Sequence, residues 1–284
     1  MEAAGEDFTS DGGAEMCEFC TKHGDGKVWY KNAENYSRDL LSDIRRRAFI
    51  RDFLSTTIKE GFDSLGRLEA LYMKKGRLPD SLIRRMEGRA KAEHFGQVLP
   101  LEEISELVLK ADTIVRMPCA CRWTAKKKEV RCCYGVSYGP EAWYREIDMS
   151  YFGKTSAEGL ESVEREEAVR QIEEMEDYGA VHTIWTMVTP FIGAICNCAA
   201  HDCIAMRTLS VIGVETMARA EYVAVVDEEL CEGCGLCYER CQFGAIASVR
   251  EGGRITSRTD RQRCFGCGLC RTVCGPGAIR LVTR

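Results

Sequence analysis

The sequence predicts an α+β fold with a mainly helical N-terminal part, a small mixed cysteine-rich domain and a C-terminal βαββαβ-like domain. Three observations support this prediction. Apolar residues recur at helical spacing across residues 36–95, short β-branched runs lie next to cysteine clusters in the middle of the chain, and the last 62 residues repeat internally with an offset of 33. The 284 residues therefore divide into a tail (1–35), a helical region (36–110), a cysteine-rich α/β domain (111–221) and the repeated domain (222–284).

The helical region is predicted from the spacing of its apolar side chains. Apolar residues recur every four positions from Tyr36 to Ala48, so they share one face of a helix. The same type of pattern continues to residue 95, and Pro100 begins a further short helix. We expect His94, at the end of this region, to be a surface or capping residue.

The cysteine-rich domain is predicted to alternate strands and helices. Thr113–Met117 and Ala180–Met187 are β-branched and apolar, which is typical of strands. Between them, Ser162 is a candidate N-cap for an acidic amphipathic helix that ends at Gly179. An apolar helix is expected from about Ile204 to Ala220. His182, on a strand, is expected to be a hydrogen-bonded core histidine.

The cysteine content indicates metal binding. There are 17 cysteines, an odd number, so they cannot all pair within the chain. The acidic start has no apolar run typical of a secretory signal, and no stretch reaches the length of a membrane helix. We therefore expect a cytoplasmic protein without membrane insertion, whose cysteines hold metal rather than disulfides. The net charge of −5 is also unlike that of nucleic-acid-binding proteins.

Each half of the repeated domain carries the cysteine pattern C-x2-C-x2-C-x3-C. Three cysteines in a tight loop can bind three corners of an iron–sulfur cube, and the fourth is free to ligate the cluster of the other half. Glycines between the cysteines allow backbone N–H groups to approach the sulfides. Zinc ribbons are the alternative, but they use paired C-x2-C knuckles and need no third cysteine in the loop.

Residues 223–284 resemble bacterial-type ferredoxins with two 4Fe–4S clusters. The resemblance implies one cluster on Cys231, Cys234, Cys237 and Cys274, and a second on Cys264, Cys267, Cys270 and Cys241. The sequence departs from the family after each fourth cysteine, where the family usually has proline. Gln242 and Gly275 stand there instead, which leaves an additional N–H beside each cluster.

The nine remaining cysteines predict a further metal site. Two C-x-C pairs adjoin candidate strands, and an adjacent pair and a single cysteine complete a set from which folding could assemble a third 4Fe–4S cluster or a zinc site. This set is Cys119, Cys121, Cys132, Cys133, Cys196, Cys198 and Cys203, of which a subset would be ligands. The alternative is that they are buried thiols. Cys17, Cys20 and His23 form a weaker C-x2-C-x2-H site in the tail.

The chain as a whole resembles 4Fe–4S proteins of anaerobic bacteria and archaea, which implies an anaerobic setting. We expect an electron-transfer protein or oxidoreductase subunit, rather than a stand-alone enzyme, that passes electrons through two 4Fe–4S clusters to a partner redox protein. The alternative is a reductase whose cysteine-rich domain holds the substrate site, with Arg122 and Lys126–Lys128 as anion-binding candidates. No nucleotide-binding motif is present, whereas flavin sites often lack a short signature.

Overall fold

The protein is described from a computed structural model, in which residues 29–31, 40–139 and 142–284 are described. Cys17, Cys20 and His23 lie outside the described residues. The fold class is α+β, as the sequence predicts. In the part of the chain that is described, no helix has both the length and the apolar character to cross a membrane.

The described α-helices vary from one turn to four. They are α1 (Ile44–Asp52), α2 (Gly61–Lys75), α3 (Asp80–Glu93), α4 (Leu101–Lys110), α5 (Ala120–Lys126), α6 (Ser156–Gly159), α7 (Arg165–Asp177), α8 (Ile204–Ile212), α9 (Leu236–Arg240) and α10 (Leu269–Thr272). A π-helix, Leu54–Glu60, joins α1 to α2, and short 3-10 turns lie at Trp29–Lys31, Trp143–Glu146 and Met149–Phe152.

A seven-stranded sheet organises the part of the structure before the repeat, in the order β4-β2-β3-β6-β5-β1-β7. Its strands are β1 (Gly96–Val98), β2 (Thr113–Pro118), β3 (Arg131–Ser137), β4 (Glu161–Ser162), β5 (Val181–Thr186), β6 (Ile192–Cys198) and β7 (Met217–Ala218). Neighbouring strands are antiparallel except β1 and β7. Because β1 joins this sheet, the sheet draws strands from both the predicted helical region and the predicted cysteine-rich domain.

Helices cover both faces of this sheet, which explains why every residue of β5 is buried. On one face, α4 and α7 pack against β5 and β6 through a core that includes Leu107, Ile172 and Ile195. On the other face, α1, the π-helix and α8 contribute to cores that include Leu54 and Met206. The edge of the sheet that carries the cysteines, described below, lies between these helices and the C-terminal repeat.

The repeat forms two antiparallel strand pairs. Each half also contains a cysteine loop and a short helix. β8 (Tyr222–Val226) pairs with β11 (Ile279–Thr283), and β9 (Ile246–Glu251) pairs with β10 (Arg254–Thr259). The helices α9 and α10 follow the two cysteine loops. Strands from the two ends of the repeat are therefore paired, so neither half is structurally independent of the other.

Two element boundaries differ from the sequence prediction. Ser162 is not an N-cap: it pairs with Val115 in β4, and α7 begins after Glu164, whose backbone is extended. The apolar helix from Ile204 stops at Ile212 rather than near Ala220, because Gly213 takes a left-handed φ of 71°. The chain beyond it forms β7, which lies beside β1.

Candidate metal centres and the cavity beside them

The seven cysteines predicted as a third site converge at one edge of the large sheet. β2 ends at Pro118, the antiparallel β3 begins at Arg131, and β6 ends at Cys198, so these strand ends lie together. The cysteines occupy these ends and the adjoining helix starts, with Cys203 as the N-cap residue of α8. Their convergence is a product of sheet topology, which brings together residues about 80 positions apart in the chain.

Cys119 lies at the centre of a network of sulfur contacts. The Sγ atoms of Cys119, Cys132 and Cys133 are all within 4.8 Å of one another. Cys133 also faces Cys196 across β3 and β6, with their Sγ atoms 3.8 Å apart. Buried sulfurs at such distances are the soft donors that zinc and iron–sulfur clusters use.

A closed ring of sulfur contacts extends from the same residue. Cys119 interacts electrostatically with Cys121 and Cys198, and both of these thiols also interact with Cys203. The interactions with Cys121 and other neighbouring thiols lower the pKa of Cys119, and the interaction with Cys119 raises the pKa of Cys121. A metal would displace the protons of these thiols, since cysteine ligates as the thiolate.

Cationic side chains lie on one side of the sulfur network. Arg122 Nη1 donates to Cys132 Sγ at 2.9 Å, and Arg122 Nε donates to the Asp202 carboxylate at 2.9 Å. Lys126 also pairs with Asp202. Burial opposes ionisation of Asp202, but the hydrogen bonds from Lys126 and Arg122 keep its pKa below the usual value. Two of the predicted anion-binding residues are thus paired within the chain, and one of them stabilises negative charge on sulfur.

A large apolar cavity of about 640 Å³ adjoins the network on the face of the sheet that the π-helix and α8 cover. Its cysteine wall consists of Cys119, Cys121, Cys133, Cys196, Cys198 and Cys203. Cys132 is not part of this wall; it lies at a register shift in the pairing of β2 with β3, and its Sγ stays within 4.8 Å of the Cys133 Sγ. It lines a separate cleft between the sheet and the C-terminal repeat, together with Arg122 and Gln242.

A half-buried histidine, His94, and a buried one, His182, lie close to the cysteines, and neither was identified from sequence as part of a site. His94 is the C-cap residue of α3, as one of the sequence alternatives had it, but its ring also stacks on Trp185 at 4.8 Å. Burial lowers its pKa to about 4. His182 Nδ1 lies 2.6 Å from Asn197 Oδ1, and burial lowers the pKa of His182 to about 4 as well. His182 is therefore the core histidine that the sequence predicts.

In the repeat, the first set of cysteines includes one from the other half. Cys231, Cys234 and Cys237 line a small cavity together with Cys274. Ser257 Oγ, on β10, lies 3.2 Å from Cys237 Sγ in the same cavity. The ferredoxin resemblance implies these four cysteines as one crossed ligand set, with the fourth ligand from the second motif, and this ligation stays a prediction.

In the second set, Cys241 of the first motif lies near cysteines of the second motif. The electrostatic field of Cys241 contributes to raising the pKa of both Cys267 and Cys270, although burial is the larger cause in each case. Backbone N–H groups point at the sulfurs: Gly266 N donates to Cys264 Sγ at 3.4 Å, and Ala245 N donates to Cys241 Sγ at 3.3 Å. N–H donors of this kind stabilise the negative charge of a ligated cluster.

Equivalent glycines allow the two cysteine loops to pack against strands. Gly233 has a φ of 69°, and a Cβ atom there would lie 2.3 Å from the carbonyl oxygen of Ile255. Gly266, its counterpart in the repeat, has a φ of 68°, and a Cβ atom would lie 2.1 Å from the carbonyl oxygen of Tyr222. Each loop thus needs glycine for its backbone conformation and for its close approach to a strand.

Comparison with known proteins agrees with this geometry. Residues 224–281 match the family model described as a 4Fe-4S dicluster domain. The C-terminal repeat is a 4Fe–4S dicluster domain. Part of the chain is also similar to an iron-sulfur subunit of the CoB--CoM heterodisulfide reductase from Methanopyrus kandleri, with 39% identity over 51 residues. That match covers 18% of this chain and 8% of the relative, so it supports iron–sulfur electron transfer in general terms.

The dicluster domain is attached to the large sheet beside the cysteine network. Gln242 directly follows Cys241; its Oε1 accepts a hydrogen bond from Ala200 N, and its Nε2 donates to the carbonyl oxygen of Gly179. Ala200 lies between Cys198 and Cys203 in the chain. The sequence identified Gln242 only as a departure from proline; its position as a link between two cysteine sets depends on tertiary structure.

The same contact region is apolar and well packed. Phe243 and Phe265 stack with their ring centroids 4.2 Å apart. Phe265 and Cys267 share one hydrophobic cluster with Cys198 and Cys203. The second set of dicluster cysteines is therefore packed against the seven-cysteine network through apolar contacts.

Proposed function

We propose that this protein transfers electrons through two 4Fe–4S clusters of the dicluster domain to a third iron–sulfur centre at the edge of the large sheet. Cluster one would be held by Cys231, Cys234, Cys237 and Cys274. Cluster two would be held by Cys264, Cys267, Cys270 and Cys241. The donor chemistry fits, because each set consists of four thiols, and backbone N–H groups approach two sulfurs of the second set.

The third centre is proposed on Cys119, Cys121, Cys198 and Cys203. These residues form the closed ring of sulfur contacts, and each lines the apolar cavity. Cys132, Cys133 and Cys196 would remain as thiols beside the centre. Cys132 lines the other cleft and its Sγ accepts a hydrogen bond from Arg122, which supports excluding it from the ligand set.

The observation that carries this proposal is the Gln242 bridge. Electrons cross proteins through packed atoms, covalent bonds and hydrogen bonds in preference to gaps. From the cluster-two ligand Cys241, a path of covalent bonds to Gln242 and one hydrogen bond to Ala200 reaches the segment between Cys198 and Cys203. Proline, the usual residue of the ferredoxin family at this position, has no side-chain amide and could not make either contact.

The internal repeat indicates where a redox partner would approach. Leu236, next to cluster one, is 50% exposed. Its counterpart Leu269, next to cluster two, is 1% exposed because it packs against the large sheet. Tyr238 is 57% exposed, and its counterpart Arg271 pairs with Glu102 of α4. The face of cluster one thus repeats the face that cluster two uses for its contact within the chain, and the described residues leave it uncovered. We therefore propose that an electron-transfer partner docks at cluster one.

The bridge is tested by removing the Gln242 side chain. In the full chain, Gln242→Ala is expected to retain its iron, to lose about 1–3 kcal/mol of stability from two hydrogen bonds, and to slow reduction of the third centre. Gly275→Ala is the matched control, since Gly275 occupies the equivalent position and a Cβ atom there meets nothing within 4 Å. Freeze-quench EPR after mixing with dithionite measures the order in which the centres are reduced. Equal rates in both variants would contradict the proposed route.

A second candidate function is a reductase with its substrate site in the cysteine-rich part. The observation that favours it is the apolar cavity, which an electron carrier does not need. Its wall contains the four proposed ligands of the third centre, so a molecule in the cavity would lie against the end of the electron path. In this function the dicluster domain supplies electrons and the cavity holds the acceptor.

A further inference from the structure

The cavity beside the cysteine network has the size and lining of a small-molecule site. Its volume of about 640 Å³ lies within the range of about 300–1,000 Å³ that is usual for ligand and cofactor pockets. Most of the wall is apolar, with contributions from the π-helix, α2, α3 and the sheet, including Leu54, Leu68, Met86 and Trp185. Such a lining favours a ligand whose surface is mainly hydrocarbon.

His94 supplies a polar group with a defined role. Its Nδ1 lies 2.6 Å from the carbonyl oxygen of Thr186, a contact that requires the proton to be on Nδ1. Burial lowers the pKa of the ring to about 4, so it is neutral at pH 7. Nε2 is then an acceptor without a proton. A ligand with an O–H or N–H group complements it, and a cationic imidazolium that would attract an anion is absent.

The charged residues of the cavity wall do not favour an ionic ligand. Arg89 and Glu93, both on α3, pair with each other at 2.9 Å. Arg67 donates to Ser64 on the same turn of α2. Glu60 is the fourth charged residue of the wall, so its two arginines and two glutamates sum to zero net charge. The apolar interior and this charge balance together favour a ligand without net charge, since an isolated ion would lose its hydration there.

The backbone next to the cavity has an uncommon helical conformation, which is an observation separate from the side chains of the wall. Residues Leu54–Glu60 form a π-helix, in which Ile58 N donates to the carbonyl oxygen of Phe53 at 3.2 Å. π-helical turns are rare, and they occur frequently at functional sites. Here Leu54 and Ile58 of the π-helix line the cavity together with the cysteines.

We propose that this cavity binds an uncharged, predominantly apolar small molecule whose O–H or N–H group donates to His94. The inference rests on the second proposed function for its redox meaning, because the ligand would contact the cysteines of the third centre. Binding itself depends only on the cavity, so the two claims can fail separately.

The test uses N-phenyl-1-naphthylamine, an uncharged apolar molecule with one N–H group. Equilibrium dialysis against the anaerobic, metal-loaded full chain is expected to give saturable binding of one molecule per chain. The sulfonated analogue 1-anilinonaphthalene-8-sulfonate has the same rings and a negative charge, and we expect it to bind at least about tenfold more weakly. Equal binding of both probes, or no saturable binding of the neutral one, would overturn the proposal.

Matched variants on one helix localise the binding. Leu68→Trp on α2 adds volume at the cavity wall and is expected to weaken probe binding by about tenfold or more. Met73→Trp, on the same helix at a residue that is 80% exposed, is expected to leave binding unchanged. If the two variants behave alike, the probe binds elsewhere and the inference is wrong. Iron content measured on the same samples tests the electron-transfer proposal separately. Too little iron for the proposed centres, together with normal probe binding, would contradict only that proposal.

Discussion

At the scale of single residues, burial determines the ionisation of the groups around the cysteine network. His182 is fully buried, and its Nε2 has no hydrogen-bond partner among the described residues. A second proton on this ring would place a charge in the sheet interior without a counter-ion. The neutral form is therefore built into the folded state, where it holds Asn197, the residue before the proposed ligand Cys198.

This histidine predicts a specific pH dependence of stability. Its pKa is about 4 in the folded protein and about 6.5 when unfolded, so the unfolded state binds the extra proton as pH falls between these values. Stability should fall through this window by up to about 3 kcal/mol from this residue. His182→Asn retains an N–H donor but does not titrate. Anaerobic thermal unfolding from pH 7 to 5 should show a steeper loss in the native protein than in the variant, and parallel curves would refute the assignment.

At the scale of elements, the cysteine loops of the dicluster domain are the most demanding local structures. Gly233 combines a left-handed φ with a Cβ position occupied by the carbonyl oxygen of Ile255. Gly235, two residues later, has a φ of 81° but open space around its Cβ position. A substitution at Gly235 therefore measures the free-energy cost of the backbone conformation alone, and one at Gly233 adds the cost of the clash with the strand.

We expect Gly235→Ala to cost about 1–2 kcal/mol, the usual penalty of a left-handed conformation, and to retain both clusters. Gly233→Ala must in addition displace the loop from β10, which moves the cysteines on either side of it. It should lose the iron of cluster one and keep that of cluster two. Iron analysis and EPR of the two variants check this, and equal iron content in both would contradict the role given to the strand contact.

The elements also show what the sequence can and cannot predict. The cysteine loops of the repeat were predictable because their spacing is local, and the same is true of the short helix after Pro100, which is α4. The N-cap at Ser162 was wrong because cross-strand pairing with β2 competed with helix capping. Strand β3 was not identified because Gly135 interrupts its short apolar run, although this strand holds Cys132 and Cys133.

At the scale of the whole molecule, the arrangement of the sites depends on contacts that no local pattern contains. The gathering of seven cysteines was a hypothesis from clustering alone, and the antiparallel order of β2, β3 and β6 explains it. The apolar cavity was not predictable, because its walls combine the π-helix, α3 and β5. The same holds for Gln242, whose two partners lie 42 and 63 residues away in sequence.

In the proposed ligation of the dicluster domain, each motif supplies its fourth cysteine to the cluster of the other motif. This crossed ligation leads to a prediction about the whole domain. Cys274→Ser is expected to damage cluster one, which depends on Cys231, Cys234 and Cys237. It should spare cluster two, although the loop of that cluster is nearer to Cys274 in sequence. Cys241→Ser is the reciprocal variant and should damage cluster two. EPR of each reduced variant identifies the remaining cluster. If each substitution instead damaged the cluster of its own motif, the crossed ligation would be wrong.

The central claim is that the cysteine network holds a third iron–sulfur centre next to cluster two. The most direct measurement is iron, sulfide and zinc per chain in anaerobically purified protein, with Cys203→Ser and Cys196→Ser as paired variants. We expect about twelve irons in the native chain and in Cys196→Ser, and about eight in Cys203→Ser. About eight irons in all three proteins, with or without zinc, would contradict the claim.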